Sequence, residues 1–156
     1  MTAFWGDTNV LAIALLFFVG FELACCFARF VLGKKSTQNT GIIGLFTGGI
    51  RIHHGYVGIL LILVRNLFPA IDLPYGLDLC TLVAGIGWGC VISDGIHHFW
   101  VLLPITGHHD FDLVYPKNSF PALKELENTL RDSKDFASFG MLASAMLLVV
   151  FIIIPR

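Results

Sequence analysis

Four long stretches of apolar residues alternate with short polar connections along the chain, and their lengths set the architecture. Crossing the roughly 30 Å hydrocarbon core of a bilayer takes about 20 apolar residues at about 1.5 Å of rise each. Stretches over about 9–33, 41–68 (or 48–68), 77–103 and 136–154 reach that length. Three of them stop at a proline, Pro69, Pro104 and Pro155, a residue that cannot continue the helical hydrogen-bond ladder. The pattern predicts an all-α integral membrane bundle of four transmembrane helices, folded as one domain over residues 1–156. In the third connection, Ser119 followed by Pro121 reads as a helix start. Ala122, Leu123, Leu126 and Leu130 then recur at helical spacing, with Lys124, Glu127 and Arg131 elsewhere on the surface. That predicts a short amphipathic helix on the membrane surface.

Composition strengthens the membrane reading. The chain is 56% hydrophobic and 13% charged, against about 25% charged for soluble domains. Its net charge is −1, with both signs spread along the sequence, so the basic footprint of a nucleic-acid binder is missing. Asp7 precedes the first stretch and no basic residue does, which predicts a retained helix rather than a secretory leader. Basic residues flank the first connection (Arg29, Lys34, Lys35) and the third (Lys117, Lys124, Arg131, Lys134), whereas the second offers Arg65. The excess of cytoplasmic lysine and arginine in membrane proteins then predicts a multi-pass protein with both termini non-cytoplasmic. Cys25, Cys26, Cys80 and Cys90 fall in apolar segments without CxxC spacing, as expected of inert packing residues.

Candidate chemistry lies inside the stretches. An ionisable side chain in a bilayer costs at least about 2.5 kcal/mol and therefore faces the bundle interior and a partner. Here Glu22 lies in the first stretch, Arg51, His53 and His54 in the second, and Asp94, His97 and His98 in the third. All six histidines occur as adjacent pairs, the third being His108 and His109 beside Asp110 and Asp112. Counted from the helix ends, Glu22, His53 and His97 share a layer roughly 8 to 15 Å inside the cytoplasmic boundary. Asp94 precedes His97 by three residues and His98 by four, which puts the three on one helix face. A carboxylate followed three residues later by histidine is how helix bundles present two metal ligands from one helix.

These residues predict one or two transition-metal ions, zinc or iron with manganese possible, held by His53, His54, Asp94, His97, His98, His108, His109 and Asp110. Glu22 is expected as a ligand or general base and Arg51 as a clamp for an anionic group, with a buried Glu22–Arg51 ion pair as the purely architectural alternative. Glycines along the second and third stretches predict close helix contact. The run Asp94–His98 faintly resembles the histidine boxes of membrane fatty-acid hydroxylases and desaturases, but six histidines and no HxxHH box depart from that pattern.

The expected function is a membrane-embedded metal-dependent enzyme acting at the cytoplasmic face on a lipid-like substrate, among membrane lipids, as a monomer or homo-oligomer. Hydrolysis is favoured narrowly over di-iron oxidation, because Arg51 suits an anionic head group and the histidines are few. A b-type haem protein with axial histidines from the second and third helices and a small transporter are the alternatives.

Overall fold

The computed structural model describes residues 8–34, 46–68, 71–74, 77–115, 121–131 and 133–153. Lys35, the 41–45 start expected of the second helix, Lys117, Ser119, Ile154 and Pro155 lie outside them. Helix α1, Thr8–Cys26, continues as a wide π turn, Phe27–Val31, and α2, His54–Val64, ends in a 3-10 turn, Arg65–Leu67. A small antiparallel hairpin, β1 (Asp72–Leu73) with β2 (Leu77–Asp78), leads into α3, Leu79–Ile96. A second π stretch, His97–Leu102, joins α3 to α4, Leu103–Thr106. Helix α5, Pro121–Arg131, and α6, Lys134–Ile153, follow.

Three continuous helical stretches are long and apolar enough to cross a membrane: Thr8–Val31, Leu79–Thr106 and Lys134–Ile153. Leu16, Leu23, Phe139 and Leu142 stand exposed on α1 and α6, an apolar surface that calls for lipid rather than water. Leu79–Thr106 is the centre of the protein, since 50% of its apolar window is buried against 11% and 17% for Thr8–Val31 and Lys134–Ile153.

Packing onto α3 runs through small residues, as expected where lipid removes the hydrophobic drive for helices to associate. A Cβ at Gly85 would stand 2.6 Å from Ile13, and one at Gly89 would stand 2.9 Å from the Ala14 carbonyl, so these glycines let α1 in. On another face, a Cβ at Gly58 would come within 2.5 Å of the Gly87 carbonyl, the close contact of second and third helices that the glycines predict. Residue numbers on α1 and α3 rise together through these contacts. They run oppositely for α2 and α6, where Gly55 meets Asp94, Ser144 meets Gly95 and Phe151 meets Trp88. Thr8 and Ile153 therefore lie at the same end of the bundle.

The second apolar stretch departs from expectation. In place of a helix over 41–68 or 48–68, residues 47–53 form turns and extended chain, and α2 starts only at His54. Gly48 and Gly49 take left-handed φ angles of 64° and 88°, which interrupt a right-handed helix and which glycine tolerates. With 11 residues plus 3 in its terminal turn, α2 is shorter than the about 20 needed to span. Non-helical backbone at this depth needs partners, and residues 107–115 supply them. The Arg51 amide donates to the Leu113 carbonyl at 2.9 Å, and the Tyr115 amide donates to Gly49 at 2.7 Å. An antiparallel bridge between Ile50 and Val114 completes the strap.

Candidate metal centre

Where the strap meets α3, three histidine rings surround one carboxylate oxygen. His53 Nδ1 lies 3.4 Å from Asp94 Oδ1, His54 Nδ1 3.2 Å and His98 Nε2 3.7 Å. His53, Asp94 and His98 are 3%, 6% and 4% exposed, and their donor atoms all lie within 4.8 Å of one another. Each side chain arrives by a local device. His53 is the extended residue that caps α2, so its ring points across the helix start. Asp94 and His98 are one turn apart on α3, and the backbone widens into its π stretch from His97, a local distortion common at functional sites. Gly55 lets the two helices close, because a Cβ there would stand 2.7 Å from Asp94 Oδ2.

The outer nitrogens fix what the inner ones can do. His53 Nε2 is 2.8 Å from the Asp112 carbonyl, and His98 Nδ1 is 2.7 Å from the His109 carbonyl. Carbonyls only accept, so both outer nitrogens carry protons, and in the neutral form of each ring the lone pair on His53 Nδ1 or His98 Nε2 turns toward Asp94. An ionised carboxylate is likewise acceptor-only. No hydrogen bond is completed at the buried Oδ1. Lone pairs of two rings thus converge with the carboxylate, whose Oδ1 is also approached by His54 Nδ1 at 3.2 Å, and binding backbone carbonyls through the outer nitrogen is the usual arrangement of metal-ligating histidines. The separations agree: two atoms about 2.1 Å from a tetrahedral ion stand about 3.4 Å apart.

Beside this trio lies a second cluster of opposite character. Glu22 Oε1 accepts from His97 Nδ1 at 2.7 Å and from Cys26 Sγ at 3.5 Å, and Oε2 accepts from Ser93 Oγ at 3.1 Å. Glu22, Cys26 and His97 are also close enough to share an ion, but here donors already meet the acceptor. The sequence reading missed Cys26 and Ser93. Cys26 was legible, since it follows Glu22 by four residues and shares its helix face. Ser93 gave no signal beyond its place beside Asp94.

The remaining predicted residues build the strap. Arg51 pairs with Asp112 at 2.7 Å and donates to the Asp110 carbonyl at 3.4 Å. Its partners at these distances are thus in the strap, in place of the Glu22–Arg51 pair of the architectural alternative. Asp110 binds Arg29. His109 is buried, but its Nδ1 accepts from the Phe111 amide at 3.0 Å, and its ring packs among Phe99 and Phe136. His108 is exposed at the turn, where its amide bonds Thr106. The side chains of His108, His109 and Asp110 therefore stand outside the trio, and the segment contributes its carbonyls and Phe111, which stacks on His53 with ring centres 4.3 Å apart. Comparison with protein-family models, curated proteins and solved structures finds no match for this chain.

Proposed function

We propose that the protein is a membrane-embedded metal-dependent enzyme acting on a lipid-like substrate, with hydrolysis as its first-choice reaction. One observation carries the reading: His53 Nδ1, His98 Nε2 and the orphaned Asp94 Oδ1 face one another as acceptors in a buried site. Two histidines and one carboxylate with an open fourth position form a set used by catalytic zinc, which polarises a carbonyl and makes bound water acidic. His54, which approaches the same oxygen from outside the trio, has the lesser role of orienting Asp94.

The neighbouring dyad supports hydrolysis. Donation from His97 Nδ1 to Glu22 leaves Nε2 as the lone-pair nitrogen, the state of a general base. In the proposed reaction water adds to the substrate's acyl carbon, and His97 takes the proton that water loses. The carbon–oxygen bond to the leaving alcohol then breaks, and that proton passes to the alkoxide. Glu22 acts as a positioning residue. We further infer that the end of the bundle carrying the strap faces the cytoplasm, because Arg29, Lys34, Lys124 and Lys134 gather there.

A second reading has its own support. The same two-histidine, one-carboxylate set holds ferrous iron in oxygenases, and the pairing of Arg51 with Asp112 weakens the anionic-clamp argument for hydrolysis. Haem is disfavoured, because the His53 and His98 rings touch with centres 5.0 Å apart and a porphyrin between them would force them apart. The test is metal analysis of detergent-purified protein followed by assay of a zinc-loaded sample on a neutral lipid ester. Bound zinc with turnover that Asp94→Asn abolishes is expected. Bound iron with oxygen uptake would establish the second reading, and an ion-free wild-type protein would overturn both.

A further inference from the structure

A cavity of about 420 Å³ opens between α2, α3 and α6, within the size range of small-molecule sites. Its walls are Tyr56 and Ile59 of α2, Val91 of α3, and Phe139, Ala143 and Leu147 of α6. Phe111 and Phe136 close the strap end, and Asp94 reaches it from α3. Among the described residues no lysine or arginine lines it. The hydroxyl of Ser144 is already engaged, donating to the Gly140 carbonyl at 2.7 Å and accepting from Trp100 at 3.0 Å. The Asp94 carboxylate and the Tyr56 hydroxyl are then the polar side-chain groups left to meet an occupant.

Two dimensions narrow what fits. From Phe136 to Leu147 the wall rises 11 residues along α6, about 16 Å, close to the about 15 Å of hydrocarbon in one leaflet. Asp94 sits at the level of Ser144, since a Cβ on the adjacent Gly95 would meet Ser144 at 2.8 Å. That is eight residues below Phe136, or about 12 Å. Asp94 thus addresses the cavity about 12 Å from its strap end, through a wall whose described residues include no lysine or arginine to hold a phosphate.

We propose that this cavity binds the single chain of a neutral lipid, inserted along the leaflet, with the reacting group carried at Asp94 inside the hydrocarbon. The proposal rests on the metal-site reading and deepens it: it names a substrate class without an anionic head group. Such a lipid enters sideways from the bilayer, loses no head-group hydration on the way, and finds apolar walls above and below the reacting atom. Tyr56 is placed to donate one hydrogen bond to an ester or carbonyl oxygen.

The test uses the full-length metal-loaded protein in vesicles of phosphatidylcholine, with two probes bearing the same photoreactive diazirine chain. One is a neutral fatty-alcohol ester and the other a phosphatidylcholine. The neutral probe should label the peptide around Ala143 and Leu147, and Ala143→Trp should cut that labelling at least tenfold at unchanged metal content. Ile59→Trp, filling the cavity from the opposite wall, should do the same and guards against a folding defect in the first variant. Labelling equal to that of the exposed Leu142 and Val149 and indifferent to both variants would overturn the cavity. Equal labelling by the phosphatidylcholine probe would overturn the neutral class. Both outcomes differ from loss of metal in the wild type, which would sink the metal centre and leave the labelling result standing.

Discussion

Two carboxylates lie one helix apart in the same buried layer, and their surroundings are inverted. Glu22 is met by three donors, from His97, Cys26 and Ser93. Asp94 is met by two rings, His53 and His98, whose protons are committed to the Asp112 and His109 carbonyls and whose lone pairs face its Oδ1, with His54 Nδ1 approaching that oxygen from outside the trio at 3.2 Å. Residue type is the same in both places, an acid beside histidine, so composition cannot separate them. The difference lies in which nitrogen each backbone carbonyl claims. A donor-satisfied carboxylate holds a ring in position, whereas an acceptor-surrounded one asks for a cation.

The largest test of that contrast is ion content. His53→Ala with His98→Ala, or Asp94→Ala alone, should reduce bound metal from about one ion per chain to under about a tenth. Glu22→Gln and His54→Ala should retain most of it. Metal analysis of the purified variants checks the ranking, and an equal loss in Glu22→Gln would merge the two clusters into one site.

Next is the strap. Because Arg51 holds Asp112, whose carbonyl holds His53, Arg51→Ala should weaken metal affinity about 10- to 100-fold, the range for removing an outer-sphere support. A competition titration with a chelator reads this directly. Unchanged affinity combined with a raised KM would return Arg51 to the role of substrate clamp.

A smaller effect carries opposite signs at the two carboxylates. In metal-free protein, Glu22→Gln turns an amide toward existing donors and should destabilise by about 1–3 kcal/mol. Asp94→Asn supplies a donor to facing lone pairs and should stabilise by up to about 1 kcal/mol. Unfolding in detergent should shift in opposite directions, and shifts of one sign would contradict the tautomers assigned here.

The smallest effect lies at the far end of α3, where Asp78 accepts from the Thr81 amide and hydroxyl, both at 2.8 Å. These bonds hold the Asp78 carboxyl below its ordinary range. Its contribution is therefore present at neutral pH and lost as pH falls through the depressed pKa. Asp78→Ala should cost about 1 kcal/mol and leave metal content untouched, as thermal unfolding with metal analysis would record.

The helices at 8–31 and 79–106 were readable because apolar length is a direct physical requirement of the bilayer. Asp94 with His98 was readable because helical spacing brings residues i and i+4 onto one face. The break at Gly48 and Gly49 was not, since hydropathy is blind to φ and these glycines also suit a tightly packed helix. The fate of the third histidine pair was equally hidden. His109 and Asp112 meet the trio through backbone carbonyls, which every residue owns, so no side-chain pattern could reveal those contacts. The Arg51 pairing was hidden for a related reason: its partner Asp112 lies 61 positions away, beyond any local pattern.

X-ray absorption at the edge of the bound metal separates the two clusters most directly, because Cys26 belongs to one of them alone. The account predicts nitrogen and oxygen neighbours at about 2.0–2.1 Å, with outer-shell scattering from two imidazole rings. A sulfur neighbour at about 2.3 Å would put the ion at Glu22, Cys26 and His97 and contradict the assignment to His53, Asp94 and His98.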